Sequence, residues 1–531
     1  MRNASIQYKK PINLKYLLAL FSMFMVIASG AQPVINSFTP ITGSTGTFGT
    51  TIVTINGSGF STTPGNNIVF FGAAYAAATT ASSTQLTVTA PAGATCKYLT
   101  VVNTETGLSG TVYSQNPFIS TYSNEGSMNF PSTAAFTYTD AFDIPYFKMA
   151  DIDGDGKVDI VHVDSSKVKI LRNLSTPGNI NFETINFYAT PDINASNDIS
   201  GLAIGDLTGD GKPEIVISSD SANGPNVKIY PNLSTPGVVN LGAYYNHVFV
   251  GLIIGNDIAL ADFDNDGKVD IVVPVFRTSD GAFNVLKNNY DAGTGFAFST
   301  TSYTVPVSTN LRDGDVTNLI MADFDSDNLV DVGLVFHYYG FDSNFVNIVY
   351  NSSTVGNISF ASHSGKITLG LGEDVEILGG KIYYAKAIDL DGDGKPDMAS
   401  SNYQGNNITT LLNLGTRGSG NLATRVGVSI GVGTGPSALA IGDLDGDGKP
   451  DLVASASLFN TIVVQRNNAV TGNIRVAARR TFPVLTAPMY LEICDLDGDG
   501  LPEIIVSSKT NLNVYSSGLK KDKMFLPKLP F

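Results

Sequence analysis

Asp151-Ile152-Asp153-Gly154-Asp155-Gly156-Lys157-Val158-Asp159 places carboxylates at the first, third, fifth and ninth positions of a nine-residue run, with glycines between them. The run recurs, with small changes, from Asp206, Asp262, Asp323, Asp389, Asp443 and Asp495. Each copy follows a short apolar run, as in Leu202-Ala203-Ile204-Gly205, and precedes another, as in Ile215-Val216-Ile217. Apolar runs of strand length on either side of a polar, glycine-bearing turn read as a β-hairpin. Seven such hairpins, with starts 52 to 66 residues apart, form an internal repeat. Each unit has room for four short strands, the pattern of a propeller blade. In the second unit the expected strands are 202–205, 214–219, 226–231 and 244–250. The fold class predicted is all-β: a seven-bladed β-propeller, preceded by an immunoglobulin-like β-sandwich.

The spacing of the acids also carries chemistry. Carboxylates at positions 1, 3, 5 and 9 can converge on one point while a backbone carbonyl at position 7 completes an oxygen cage, much as in the first nine positions of an EF-hand loop. The first copy supplies Asp151, Asp153, Asp155, the carbonyl of Lys157, and Asp159, with Gly156 at the bend. The second supplies Asp206, Thr208, Asp210, Lys212 and Glu214; the third Asp262, Asp264, Asp266, Lys268 and Asp270. Asp323, Asp325, Asp327, Leu329 and Asp331 form the fourth set, and Asp389, Asp391, Asp393, Lys395 and Asp397 the fifth. The last two are Asp443, Asp445, Asp447, Lys449 and Asp451, then Asp495, Asp497, Asp499, Leu501 and Glu503. An all-oxygen set of this size suits Ca²⁺ better than Mg²⁺, which keeps several waters. Up to seven calcium ions are expected. The second site, one carboxylate short, should bind most weakly, and Asn328 replaces the bend glycine in the fourth, a position asparagine tolerates.

Composition agrees. The chain has 531 residues, 43% hydrophobic, with 54 glycines and a formal charge of −15. Six loops hold four acids each and the second holds three, so 27 of the 47 Asp and Glu residues lie in the loops. This acidity argues against a nucleic-acid partner. Residues 1–31 carry basic residues, an apolar stretch from Tyr16 to Ile27 and the small residues Ser29-Gly30-Ala31, which read as a secretory signal peptide. No later segment is apolar enough to span a bilayer as a helix. Cys96 and Cys494 fall in different expected domains and read as buried thiols.

Residues 32–120 are rich in Thr, Ser, Gly and Val and divided into short alternating runs. The stretch from Pro33 to Pro40, then Thr51-Ile52-Val53-Thr54-Ile55-Asn56-Gly57-Ser58-Gly59-Phe60, then Ile68-Val69-Phe70-Phe71-Gly72 and Gln85-Leu86-Thr87-Val88-Thr89-Ala90-Pro91, resembles the TIG/IPT immunoglobulin-like domain. In a secreted acidic chain that resemblance implies a spacer. The propeller is expected over 127–518, and 519–531 is a basic tail. After the last loop only two strands follow, whereas Gly126-Ser127-Met128-Asn129-Phe130 leading to Phe136-Thr137-Tyr138 matches a fourth-strand entry. Residues 127–139 are therefore expected to complete the last blade. The repeats as a whole resemble FG-GAP/VCBS-type repeats and the integrin α-subunit propeller, a resemblance that implies calcium in the hairpin loops. The Phe-Gly and Gly-Ala-Pro signatures that name the family are absent.

In a four-strand meander the metal loops share a face with turns such as Asn173-Leu174-Ser175-Thr176-Pro177-Gly178, whose Asn-x-Ser reads better as a repeated turn than as a glycan acceptor. The other face carries the segments that vary between units, and recognition is expected there, around Arg277, Arg312, Tyr338, Tyr339, Phe341 and Tyr403. The leading reading is a secreted or cell-surface, calcium-stabilised binding or adhesion protein that recognises an extracellular glycan or protein. The alternatives are an extracellular polysaccharide lyase or hydrolase on a propeller scaffold, or a structural component of a surface assembly. No Ser-His-Asp order, zinc spacing or phosphate loop is visible, and His162 falls at a strand position filled elsewhere by Ile217, Val273 and Leu334, so a non-enzymatic role is favoured.

Overall fold

The computed structural model describes residues 31–45, 51–111, 117–122, 130–140, 144, 147–163, 167–188, 199–221, 224–249, 253–255, 257–276, 281–305, 314–338, 345–364, 367–368, 382–403, 406–422, 430–431, 435–484 and 487–517. The expected signal segment and basic tail lie outside them. Among the described residues the regular elements are strands, apart from short 3-10 turns at Pro64–Asn66 and Ser457–Phe459.

The first unit is a sandwich. One sheet orders Val34–Thr39, Ile52–Ser58, Gln85–Thr89 and Thr80–Ala81; the other orders Ala74–Ala77, Asn67–Phe71, Thr100–Asn103 and Leu108–Thr111. Alternation sets the inner faces: in Asn67–Phe71 every second residue is buried. Val53, Ile55, Val69, Phe71, Leu86, Val88 and Phe118 fill the space between the sheets.

Beyond it, among the described residues, seven sheets each contain one acidic loop, which joins the first strand to the second. In the second sheet Ile199–Gly205, Glu214–Ser221, Gly224–Tyr230 and Tyr245–Val248 form an antiparallel meander, with Gly205 opposite Glu214. The second strands are buried along their whole length, as in Asp159–Val163, because neighbouring sheets cover both faces. His162 lies fully buried in that strand against the ring of Tyr138. Each of seven apolar clusters draws on two successive sheets, and one joins Phe147 and Ile160 of the first to Tyr490 and Ile505 of the last. Phe136–Thr139 supplies the outer strand of the last sheet, with Phe136 opposite Val514 and Thr139 opposite Asn511.

Buried asparagines tie each sheet to the one before it. Asn288 donates its side-chain N–H groups to Val269 O in its own hairpin (3.0 Å) and to Leu207 O in the preceding loop (2.8 Å), while its Oδ1 accepts from Tyr290 N (2.9 Å). Asn173, Asn232, Asn351, Asn413 and Asn467 repeat the reach into the preceding loop, and for Asn173 that is Leu496 O of the last sheet, 2.8 Å away. Ser517 holds the corresponding place in the last sheet, and its Oγ has no hydrogen-bond partner. The full burial of Asn173, whose amide group is engaged on both sides, leaves no room for a glycan on its Asn-x-Ser turn. Replacing Asn288 by Ala strands two buried carbonyls, so the predicted loss is about 2–4 kcal/mol of stability. A urea midpoint within error of the unsubstituted chain would show the link to be redundant.

The sandwich does not extend away as a spacer. It packs on the face that carries the acidic loops. Ala73 O accepts from Asp151 N (2.9 Å), Gly267 O from Ser109 N (2.7 Å), and Gly93 O from Cys494 Sγ (3.4 Å), while Gln32 Nε2 donates to Asp262 Oδ2 (3.0 Å). Thr121 forms a parallel bridge with Asp443. The domain thus touches the first, third, sixth and seventh loops or the strands that enter them. The spacer expectation failed because these contacts use backbone groups and small residues, which carry no charge or periodicity to mark an interface. Cys494 is buried as expected, whereas Cys96 is only half-buried at this interface, and neither is in a disulfide.

Candidate metal centres

Every acidic loop is built on the same backbone. The position 1 carboxylate turns inward and accepts backbone N–H groups of its own loop: Asp151 accepts from Gly154 N (2.8 Å) and Gly156 N (3.0 Å), and Asp443 from Gly446 N (2.9 Å) and Gly448 N (2.8 Å). This curl needs positive φ at positions 4 and 6. Glycine meets it at both places in most copies, whereas the fourth uses Ser326 (φ 58°) and Asn328 (φ 75°). Position 9 closes the loop from the second strand. Asp159 accepts from Ile152 N (2.9 Å) and Asn173 N (2.8 Å), and Glu503 takes the same role through Leu496 N (2.8 Å).

The result is a convergence of acids. In Asp151, Asp153 and Asp159 one carboxylate oxygen from each lies within 4.8 Å of the others, and all three residues are buried. The same holds for Asp262, Asp264 and Asp270; Asp323, Asp325 and Asp331; Asp389, Asp391 and Asp397; and Asp443, Asp445 and Asp451. In the remaining two loops Asp206, Glu214, Asp495, Asp497 and Glu503 are buried as well. At position 5, Asp155, Asp266, Asp327, Asp393 and Asp447 each accept from the N–H of position 7 through one oxygen, as Asp155 does from Lys157 N (3.0 Å), while the other oxygen of Asp155 and of Asp266 shares a cation, Arg172 or Lys287, with the position 3 carboxylate. The side chain of Lys157 turns away and donates to Ser175 O (2.9 Å), and Lys212, Lys268 and Lys449 do the same with Ser234 O, Tyr290 O and Ala469 O.

Burial makes these clusters costly without a counter-charge. It pushes Asp151, Asp262, Asp323 and Asp495 up to about 7, and Asp331, Asp397 and Asp451 to about 8, with neighbouring carboxylates adding to the effect. Three loops draw part of their compensation from the basic residue before the buried asparagine, and in the fifth Lys395 lies 3.4 Å from Asp393. Arg172 pairs with Asp153 (2.6 Å), Lys287 with Asp264 and Asp266, and Arg466 with Asp445 and Asp447. Pro231, Tyr350 and Leu412 take the corresponding place before the buried asparagine in three others. Buried Asp264 Oδ1 and Asp325 Oδ1 have no hydrogen-bond partner. Oxygen-only donors, buried and left with free lone pairs, are the chemistry that a hard divalent cation satisfies.

Arg277, Arg312, Tyr339 and Phe341 lie outside the described residues; Tyr338 ends the strand Asp331–Tyr338, and Tyr403 sits half-buried in the turn after Asp397–Asn402. The buried asparagines and the basic residues before them were missed by sequence reasoning. Their signal was an asparagine recurring 14 to 20 positions after six of the seven loops, visible only once the units are aligned on their loops.

The family model for the IPT/TIG domain matches residues 33–120. That for the FG-GAP-like repeat matches 151–217 and 389–454, and that for the FG-GAP repeat matches 435–476. The chain carries an IPT/TIG domain and FG-GAP-like repeats. No curated protein sequence matches it. Among solved structures it is similar to the Dos1 propeller, at 13% identity and a TM-score of 0.38, over 86% of this chain and 94% of that one. It is also similar to an auxiliary nutrient binding protein of Bacteroides thetaiotaomicron, at 10% identity and a TM-score of 0.31, over 92% and 98%. A further protein of the same bacterium, described as of unknown function, matches at 13% identity and a TM-score of 0.30, over 92% and 98%.

Proposed function

We propose that this chain, an IPT/TIG domain seated on a propeller of FG-GAP-like repeats, is a secreted or cell-surface binding protein whose scaffold is held by calcium. The observation that carries the calcium reading is the recurrence of one buried carboxylate cluster in five loops of the same backbone geometry. A single acidic turn has many explanations, but repeated burial of three convergent carboxylates has few that omit a cation. Among the described residues no helix is long and apolar enough to cross a membrane.

The docked IPT/TIG domain supports placing recognition on the other face, since it occupies the face of the loops. Recognition of an extracellular glycan or protein then falls to the variable segments that hold Arg277, Arg312 and Tyr339. The test is binding of the full chain to an array of extracellular polysaccharides and matrix proteins, in calcium and in chelator. The reading expects a ligand that is retained in calcium and lost from a variant with Arg277, Arg312 and Tyr339 all replaced by Ala. A ligand that binds this variant as well as the unsubstituted chain would move recognition elsewhere.

A further inference from the structure

The first strands of the seven sheets surround a cavity of about 450 Å³, closed at one end by the IPT/TIG domain. Three residues before each acidic loop, these strands carry Lys148, Ala203, Ala259, Ile320, Lys386, Ala440 and Glu492 in turn. Four sheets keep an apolar residue at this level and three carry a charge. Five residues before the loops, Asp257, Asn318, Tyr384 and Tyr490 make a second polar level. From the docked domain Lys97 also lines the cavity. A repeat that otherwise favours small apolar residues therefore concentrates its charge at one place.

The carboxylates there are already engaged. Glu492 accepts from Lys386 Nζ on both oxygens (3.0 Å each) and from the Tyr490 hydroxyl (2.7 Å). Asp257 accepts from Asn318 Nδ2 (3.0 Å), Leu319 N (2.8 Å) and Ile258 N (2.9 Å). Asp206 and Asp262, at the edge of the cavity, are held by their own loop amides. Lys148 Nζ lies over the ring of Tyr490, 5.7 Å from its centre. Lys97 and Lys148 take no part in the ion pairs among the described residues. The Lys97 side chain is exposed; the surrounding walls, with Lys386 and Lys148 nearby, lower its pKa against the opposing pull of Glu492 and Cys96.

We propose that this cavity is a binding site for a small organic anion, with one carboxylate or phosphate group held by Lys97 and Lys148. The Lys386–Glu492 pair and Asp257 face the remainder of the ligand and suit a hydroxylated body such as a sugar ring. The cavity volume accommodates a ligand of that size.

The test uses the full chain and three probes that share one ring: glucuronate, glucose 6-phosphate and glucose, titrated calorimetrically. One of the two anions is expected to bind one to one while glucose does not, and the anion that binds identifies the class. Lys97→Met and Lys148→Met should each weaken binding about tenfold, as loss of a charge-assisted hydrogen bond does. Lys509→Met, at an exposed position, should leave it unchanged. If the methionine variants fail to fold, protection of Lys97 and Lys148 from acetylation by the bound anion gives the same answer on the unsubstituted chain. No binding of either anion at about 10 mM, equal affinity in the methionine variants, or acetylation unaffected by the anion would each overturn the proposal.

Discussion

Chelating the full chain should lower its melting temperature by on the order of 10 °C or more. A site holding an ion at a hundredfold excess over its dissociation constant adds about 2.7 kcal/mol to stability, and the five clusters would together add several times that. In a large chain each kcal/mol moves the midpoint by only about 2 °C, yet the sum remains large. The effect should reach the IPT/TIG domain, because Asp151 N, Gly267 O and Asp262 Oδ2 all contact it. Thermal unfolding in calcium and in chelator measures this directly. A shift of no more than about 2 °C would mean that the clustered carboxylates are held by the fold and not by ions.

The pH dependence of stability should change sign with metal. In the metal-free chain burial raises Asp151, Asp262 and Asp323 to about 7 and Asp331, Asp397 and Asp451 to about 8. The same groups titrate near ~3.9 when unfolded. Between those values the native state holds more protons than the unfolded state, so stability is highest at the acidic end of this window and falls as pH rises through it. The combined effect should reach several kcal/mol, roughly, between pH ~5 and ~8, reduced wherever Arg172, Lys287 or Arg466 supplies the counter-charge. With calcium the logic inverts, since the ligands must be ionised to bind and protons compete with the ion. Urea midpoints at the two pH values should therefore favour the acidic sample in chelator and the neutral one in calcium. The same sign in both would exclude the loops as the source.

Much of this was legible in the sequence because it rests on local pattern. Apolar runs flanking each acidic turn place the first two strands of every sheet, and the phenylalanine-bearing stretch before the first loop marks Phe136–Thr139 as the strand paired with Asn511–Ser516. Asn328 at the bend of the fourth loop adopts the left-handed conformation expected of it. Position 4, which needs the same conformation, was overlooked, although glycine or asparagine fills it in six of the seven copies. What stayed hidden depends on contacts between units. Asn173 reaches Leu496 across 323 residues, and no local pattern joins them. The docking of the IPT/TIG domain escaped for a related reason: it is made by backbone groups such as Ala73 O and Gly93 O, which look alike in every sequence.

The most direct test of the central claim is metal content. The full chain, dialysed to equilibrium against calcium and analysed for bound metal, should carry about five to seven ions. It should retain them against a large excess of magnesium. A chain that binds no calcium under these conditions, yet melts as a folded protein, would contradict the account: the acidic loops would then be hydrogen-bonded turns, and the reading of a calcium-held binding scaffold would lose its foundation.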